Sequence, residues 1–152
     1  MSLLAEIRAA KPSEGEALGE LHRRSSSIWA EDRPHFEARP EIFGVSAEAI
    51  LEQRVRVAFV AEGRRLGFAT ISTQPTGVCE LEDLFVEPRA MRKGVGAALV
   101  EDAAARARRI GGERMTVVAA ERTLPFYEPL GFVVGEGVQT RFAPALRLWR
   151  EL

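Results

Sequence analysis

Residues 89–97 of this 152-residue chain, Arg-Ala-Met-Arg-Lys-Gly-Val-Gly-Ala, bring three cations and two glycines into nine positions. They follow the apolar triplet Leu84-Phe85-Val86 and precede an alanine-rich run to Ile110. The triplet is strand-like, and Pro88 stops it because proline has no N–H for a ladder. The alanine-rich run reads as a helix. The first amides of a helix lack an intrahelical acceptor, and the macrodipole adds positive potential there. Glycines let a bulky anion approach the backbone, and cations attract it from a distance. The chemistry on offer is anion binding, with a phosphate or pyrophosphate at the turn Arg92–Ala97. The plainer alternative is a helix N-terminus with solvated charges.

Two familiar phosphate motifs fail here. The run Gly94-Val95-Gly96-Ala97-Ala98-Leu99 starts as a dinucleotide fingerprint but ends in Leu99, where glycine or alanine is needed. No lysine and hydroxyl follow a glycine loop, so a P-loop is absent. Cys79 is the single cysteine, which rules out a disulfide framework and reads as a small apolar strand residue. His22 and His35 have no second ligand pair nearby, so no metal is expected.

Several elements must position the turn. Ala5–Ala9 reads as a first strand. Ser13 reads as the N-cap of a helix, with Glu16 closing a capping box and Ala17, Leu18 and Leu21 as its apolar stripe. Residues 28–43 are irregular. Phe43 is expected in the core, while Trp29, His35 and Phe36 fit either core packing or an acceptor pocket. Ser46 caps a helix over 47–54. Strands are expected at 55–61, 66–73 and 78–86, the first two as a hairpin around Glu62-Gly63-Arg64. The helix 95–110 buries Val95, Leu99, Ala103, Arg106 or Ala107, and Ile110, then stops at Gly111-Gly112. It leads to a strand at 114–120, parallel to 78–86 in a right-handed crossover. A short helix over 123–130 ends at Gly131. Phe132–Val134, the glycines 135 and 137 and the tail suggest a final hairpin that Pro144 interrupts.

Composition narrows the partners. Apolar residues are 46% of the chain and the formal charge is −1, which suits a globular domain and removes the electrostatic case for nucleic acid. No apolar run approaches the ~20 residues of a membrane helix, and no signal core is evident. A cytoplasmic protein of one domain, 1–152, is expected.

At this point the chain resembles the GNAT superfamily of N-acetyltransferases. The likeness rests on LFVEPRAMRKGVGAALV, residues 84–100, and FYEPLGF, residues 126–132, in an element order that spans nearly the whole chain. Met91 departs from the family's turn pattern, Q/R-x-x-G-x-G/A, at its first position. The resemblance implies an α/β (α+β) fold: a mixed, mostly antiparallel sheet of six to seven strands, about four flanking helices, and a cofactor cleft between two splayed parallel strands. It implies acetyl-CoA as donor, with no metal. The pyrophosphate would be held at Arg92, Lys93, Gly94, Val95, Gly96 and Ala97, and the pantetheine arm along Leu84, Phe85 and Val86. An amide of that strand would also face the developing oxyanion.

The acceptor implied is a primary amine of a small molecule or of a protein or peptide, attacking directly in a ternary complex. An alkyl ammonium loses its proton only near pH ~10, so a base is needed. Glu80 stands where the family's glutamate base is most often found, six residues before Val86, with Glu82 two further on and Asp83 as a third, structural residue. Without a bulge the two glutamates share a strand face. An acidic solvent face is the alternative. Tyr127, the only tyrosine, matches the family tyrosine that protonates the departing thiolate. Its alternative is packing under the cofactor. A non-catalytic acyl-CoA sensor of the same fold is the rival function. Leu146, Leu148 and Trp149 serve either a homodimer interface or core packing.

Overall fold

The computed structural model describes residues 5–29, 44–73, 75–140 and 143–152. In chain order the elements are β1 (Glu6–Ala9), α1 (Gly15–Ser26), α2 (Ala47–Leu51), β2 (Val55–Phe59), β3 (Arg65–Thr73), β4 (Val78–Val86), α3 (Val95–Arg109), β5 (Arg114–Ala119), α4 (Leu124–Tyr127), β6 (Val133–Gln139) and β7 (Pro144–Glu151). The seven strands form one mixed sheet in the order β1-β2-β3-β4-β5-β7-β6. The pairs β1–β2, β2–β3, β5–β7 and β6–β7 are antiparallel. The pair β4–β5 is parallel, with Val78–Glu80 in register against Arg114–Thr116. Its crossover is α3, because two parallel neighbours cannot be joined by a tight turn. His35, Phe36 and Phe43 lie outside the described residues. The chain divides into two compact units, Met1–Thr70 with Asp83–Asp102, and Ile71–Glu82 with Ala103–Leu152.

The first unit is built on an apolar cluster of Leu18 and Leu21 from α1, Ala49 and Ile50 from α2, Val55 and Val57 from β2, and Phe68 from β3. Helix α1 buries positions 18, 21 and 25, one stripe at helical spacing. Its start differs from the sequence expectation. Residues Pro12–Glu14 form a 3-10 turn, and Glu14 rather than Ser13 precedes the helix. The backbone N–H of Lys11 donates to Glu14 Oε1 at 2.8 Å, so the reaching-back carboxylate is Glu14 and not Glu16. Two guanidiniums select it: Arg8 donates to both carboxylate oxygens at 2.7 and 2.8 Å, and Arg65 Nε donates at 2.6 Å. The Ser46 hydroxyl accepts from Ala49 N as expected, but α2 ends at Leu51 because Gln53 turns to φ 59°.

Helix α3 buries Val95, Leu99, Val100, Ala103, Ala104 and Ala107. Ala107 therefore takes the position left open with Arg106. Ile110 lies just beyond the helix and is 60% exposed, contrary to expectation. The helical spacing that pointed inward is lost once the chain turns at Gly111.

In the second unit Cys79, Leu81, Met115, Val117 and Leu148 are buried on β4, β5 and β7. The glycines at 135 and 137 lie inside β6, whereas the sequence reading ended the strand before them. A register shift between Val134 and Gly137 absorbs them, as bulges do. Pro144 opens β7 instead of interrupting it, opposite Gln139. A proline is tolerated at a strand's first residue.

Candidate active site

The turn before α3 carries two left-handed residues ahead of the helix. Arg92 and Gly94 take left-handed conformations, φ 62° and 88°. A side chain other than asparagine or aspartate pays for that conformation, so Arg92 is held there by its surroundings. Ala98 N donates to Gly94 O at 3.0 Å, the first bond of the helix ladder. The amides of Val95, Gly96 and Ala97 therefore have no intrahelical acceptor and project from the helix end. Arg92, Lys93 and Gly94 are exposed, while Val95 is buried and anchors the first turn. Met91 is half-buried, and its N–H donates to Pro88 O at 3.3 Å.

Leu84, Phe85 and Val86 close β4 just before this turn, all half-buried. Phe85 is gripped on two sides. Its ring stacks on His22 of α1 with centroids 3.8 Å apart, and tilts against Phe68 at 5.7 Å. Its carbonyl oxygen lies where β3 comes closest: a Cβ at Gly67 would stand 2.7 Å from Phe85 O and 3.3 Å from Val86 Cα. Only glycine fits there. The next residue continues the contact, with Glu87 N donating to Leu66 O at 2.7 Å. Burial lowers the His22 pKa to about 4, so the ring is neutral near pH ~7.

The second unit holds Glu80, Glu82 and Tyr127. Along β4, Cys79 and Leu81 are buried, Glu80 is half-buried and Glu82 exposed. This alternation sets the two glutamates on one strand face, opposite the buried pair. Glu80 sits in register with Thr116 of β5, which is buried. Cys79 is enclosed, and burial pushes its thiol pKa up, which suits packing and not nucleophilic work. Tyr127 ends α4 and is buried among rings, with Phe126 at 4.9 Å and Phe132 at 5.3 Å, both edge-on. Burial pushes its phenol up to about 12. It is a proton donor throughout the neutral range. Among the described residues no cluster of histidine, cysteine and carboxylates is arranged to hold a metal. Among them, too, no helix is long and apolar enough to cross a membrane.

Sequence reasoning singled out the turn, the triplet and Tyr127 and gave no part to the contacts of His22 and Gly67 with Phe85. Both act on Phe85 across long chain separation. The only local sign was a histidine beside the apolar stripe of α1 and a glycine inside a strand pattern.

Comparison with known proteins gives this sheet order and helix-opening turn a family. The acetyltransferase (GNAT) family profile matches residues 16–132. Glucosamine 6-phosphate N-acetyltransferase from Trypanosoma brucei brucei is 32% identical over 111 residues, 64% of this chain and 76% of that one. PaiA N-acetyltransferase from Thermoplasma acidophilum, solved in complex with coenzyme A, aligns with a TM-score of 0.79 at 20% identity, covering 99% of this chain and 100% of that one. Ard1 from Thermoplasma volcanium aligns with a TM-score of 0.75 at 20% identity, covering 99% of each. At such identities the two structures speak to the fold alone. The chain belongs to the acetyltransferase (GNAT) family. It is an acetyl-CoA-dependent N-acetyltransferase, an enzyme whose family implies an amine acceptor.

Proposed function

We propose that the turn Arg92–Ala97 takes the pyrophosphate of acetyl-CoA, that Leu84–Val86 pairs with its pantetheine arm, and that Tyr127 with Glu80 or Glu82 handles the protons. The observation that carries this reading is the turn itself: left-handed Arg92 and Gly94 ahead of three helix amides without intrahelical acceptors. Backbone amides aimed at an anion are a ready phosphate site.

Each residue then has one task. Glu80, half-buried, or Glu82, exposed, accepts the ammonium proton directly or through a water. The neutral amine attacks the acetyl carbonyl carbon, and a C–N bond forms. An amide of the 84–86 strand donates to the oxyanion. The tetrahedral adduct collapses, the C–S bond breaks, and the sulfur leaves with the bonding pair. The Tyr127 hydroxyl donates to that thiolate. Its pKa of about 12 lies above the ~8.5 of a thiol, so the phenolate left behind takes up the second proton, which the adduct nitrogen sheds as it becomes the amide. The net reaction turns an ammonium and acetyl-CoA into an amide, coenzyme A and one proton, released from the glutamate.

For the acceptor we favour a small molecule bearing a primary amine over a peptide. The 32% identity to a protein named for glucosamine 6-phosphate supports testing phosphorylated amino sugars first. A homodimer is part of the same reading. Leu148 is fully buried within its own chain, which leaves half-buried Leu146 and Trp149 for an interface. A cytoplasmic location completes the proposal.

The test is release of free coenzyme A from acetyl-CoA over a panel of amino sugars, amino acids, polyamines, aminoglycosides and N-terminal peptides. Turnover with one class, with Tyr127→Phe and Glu80→Gln reducing kcat, supports the assignment. Turnover untouched by either substitution removes those residues from the chemistry.

A further inference from the structure

We propose that Arg24 masks the carboxylate of Glu87 and thereby keeps the anion-binding turn attractive to a phosphate-bearing donor. The inference rests on the reading that this turn takes the pyrophosphate of acetyl-CoA. Glu87 is the only acidic residue in 84–100, a stretch that otherwise carries Arg89, Arg92 and Lys93. It stands between the end of β4 and the short 3-10 turn Pro88–Ala90 that leads to the glycines. Its backbone is pinned on both sides, by Glu87 N to Leu66 O at 2.7 Å and by Ala90 N to Glu87 O at 2.8 Å. The carboxylate therefore cannot leave the neighbourhood by a backbone movement.

Arg24, in the last turn of α1, occupies it completely. Its Nε donates to Oε1 at 2.9 Å and to Oε2 at 3.1 Å, and its Nη2 donates to Oε2 at 2.7 Å. Among the described residues Glu20, at 4.0 Å, also approaches this guanidinium with an acidic group. The fork geometry matches a carboxylate and spends its donors on both oxygens. The Arg24 side chain is 49% exposed and that of Glu87 20% exposed. A pair so open to water adds little to folding stability. Its charge nevertheless acts over a screening length of ~8 Å at physiological salt and more at low salt, and Glu87 stands five residues before Arg92 in the chain. A bare carboxylate there opposes an incoming pyrophosphate, and a paired one does not.

Masking and mere strapping give different results in a double-mutant cycle. Coenzyme A affinity is measured by calorimetry at low salt for the wild type, R24Q, E87Q and R24Q/E87Q. The expected result is an affinity about three- to tenfold weaker in R24Q, equal to wild type or tighter in E87Q, where the bared guanidinium adds attraction, and restored in the double variant, because the carboxylate has gone with its mask. The R24Q loss shrinks at about 0.5 M salt, and kcat/KM for S-acetylpantetheine, which lacks the phosphates, stays unchanged. If R24Q/E87Q binds as weakly as R24Q, the pair is a structural strap and the proposal is wrong. An R24Q affinity equal to wild type also overturns it. Gly94→Val serves as the separate control. A large loss there, with no R24Q effect, leaves the turn as the anion site and removes only the mask. Unchanged coenzyme A binding in Gly94→Val removes the underlying reading, and the mask with it.

Discussion

Glu14 and Tyr127 are both buried ionisable groups, one in each compact unit, and they shift in opposite senses although burial alone would raise both. Hydrogen bonds from Arg8, aided by Lys11 N and Arg65, outweigh desolvation at Glu14 and hold its carboxyl at about 2. Tyr127 has aromatic neighbours, and desolvation alone takes its phenol to about 12. Burial disfavours charge, and nearby donors decide whether that preference survives. The proposed function follows the same division. The first unit offers anions a backbone, shaped by Gly94 and by the close approach at Gly67. The second offers side chains, Tyr127 and the glutamates. Substitutions that add atoms should therefore harm the first unit, and substitutions that remove polar atoms should harm the second.

The largest expected effect is in the second unit. Tyr127→Phe keeps the ring packing and removes the donor, and kcat should fall by about 10³-fold with acetyl-CoA KM little changed. Steady-state kinetics with a responsive acceptor decide it. The pH profile sharpens the point. With a phenol at about 12, the donor stays protonated through the alkaline range, so a wild-type activity loss near pH ~9 that disappears in Tyr127→Phe would contradict the burial argument.

Next comes acid stability of the first unit. The folded pKa of His22 is about 4, against 6.5 for the free side chain, so below pH 6.5 the unfolded chain takes up a proton that the folded chain refuses. Stability is complete above that window and falls through it toward pH 4, by up to about 3 kcal/mol. His22→Phe should abolish this slope in urea titrations. Glu14 works lower: its stabilisation is present above the usual carboxylate pKa of 4.5 and lost as pH falls toward 2. A wild-type curve flat from pH ~7 to ~4.5 would show that His22 is not held neutral by the fold.

A smaller effect probes the backbone side of the comparison. Gly67→Ala places a Cβ 2.7 Å from Phe85 O and 3.3 Å from Val86 Cα, backbone atoms that cannot step aside as a side-chain end can. Acetyl-CoA KM should rise about tenfold while kcat changes less, because the 84–86 strand moves but Tyr127 does not. Equal losses in kcat and kcat/KM would blur the distinction between the units. Smallest of all is Met91→Gln, which restores the family's residue at the turn. If amides do the binding, acetyl-CoA KM should shift by less than about threefold.

The chain's local chemistry made much of this visible in advance. Strand β4 falls at the expected residues 78–86, because valine, cysteine, leucine and phenylalanine run between Gly77 and Pro88. The Ser46 cap, the glycine turn and the stop at Gly131 were equally legible, since each depends on residues within a few positions. Legibility failed where neighbours distant in sequence competed. Two plausible capping glutamates stood near α1, and Arg65, fifty-one residues beyond Glu14, helped to select it. Glycines 135 and 137 looked like a turn until pairing with β7 drew them into a strand. Ile110 followed the helical period and still faced solvent, because periodicity does not say where a helix ends.

From the sequence alone came the type and order of elements, the glycine turn proposed to bind an anion, the single tyrosine and the family likeness, all carried by contiguous residues. Tertiary structure alone decided the partners of Phe85, the ion pair of Arg24 with Glu87, the enclosure of Glu14 and the direction in which Tyr127 and His22 titrate. Those properties depend on the dielectric surroundings and on donors from other elements, and a linear string of residues contains neither until the chain has folded.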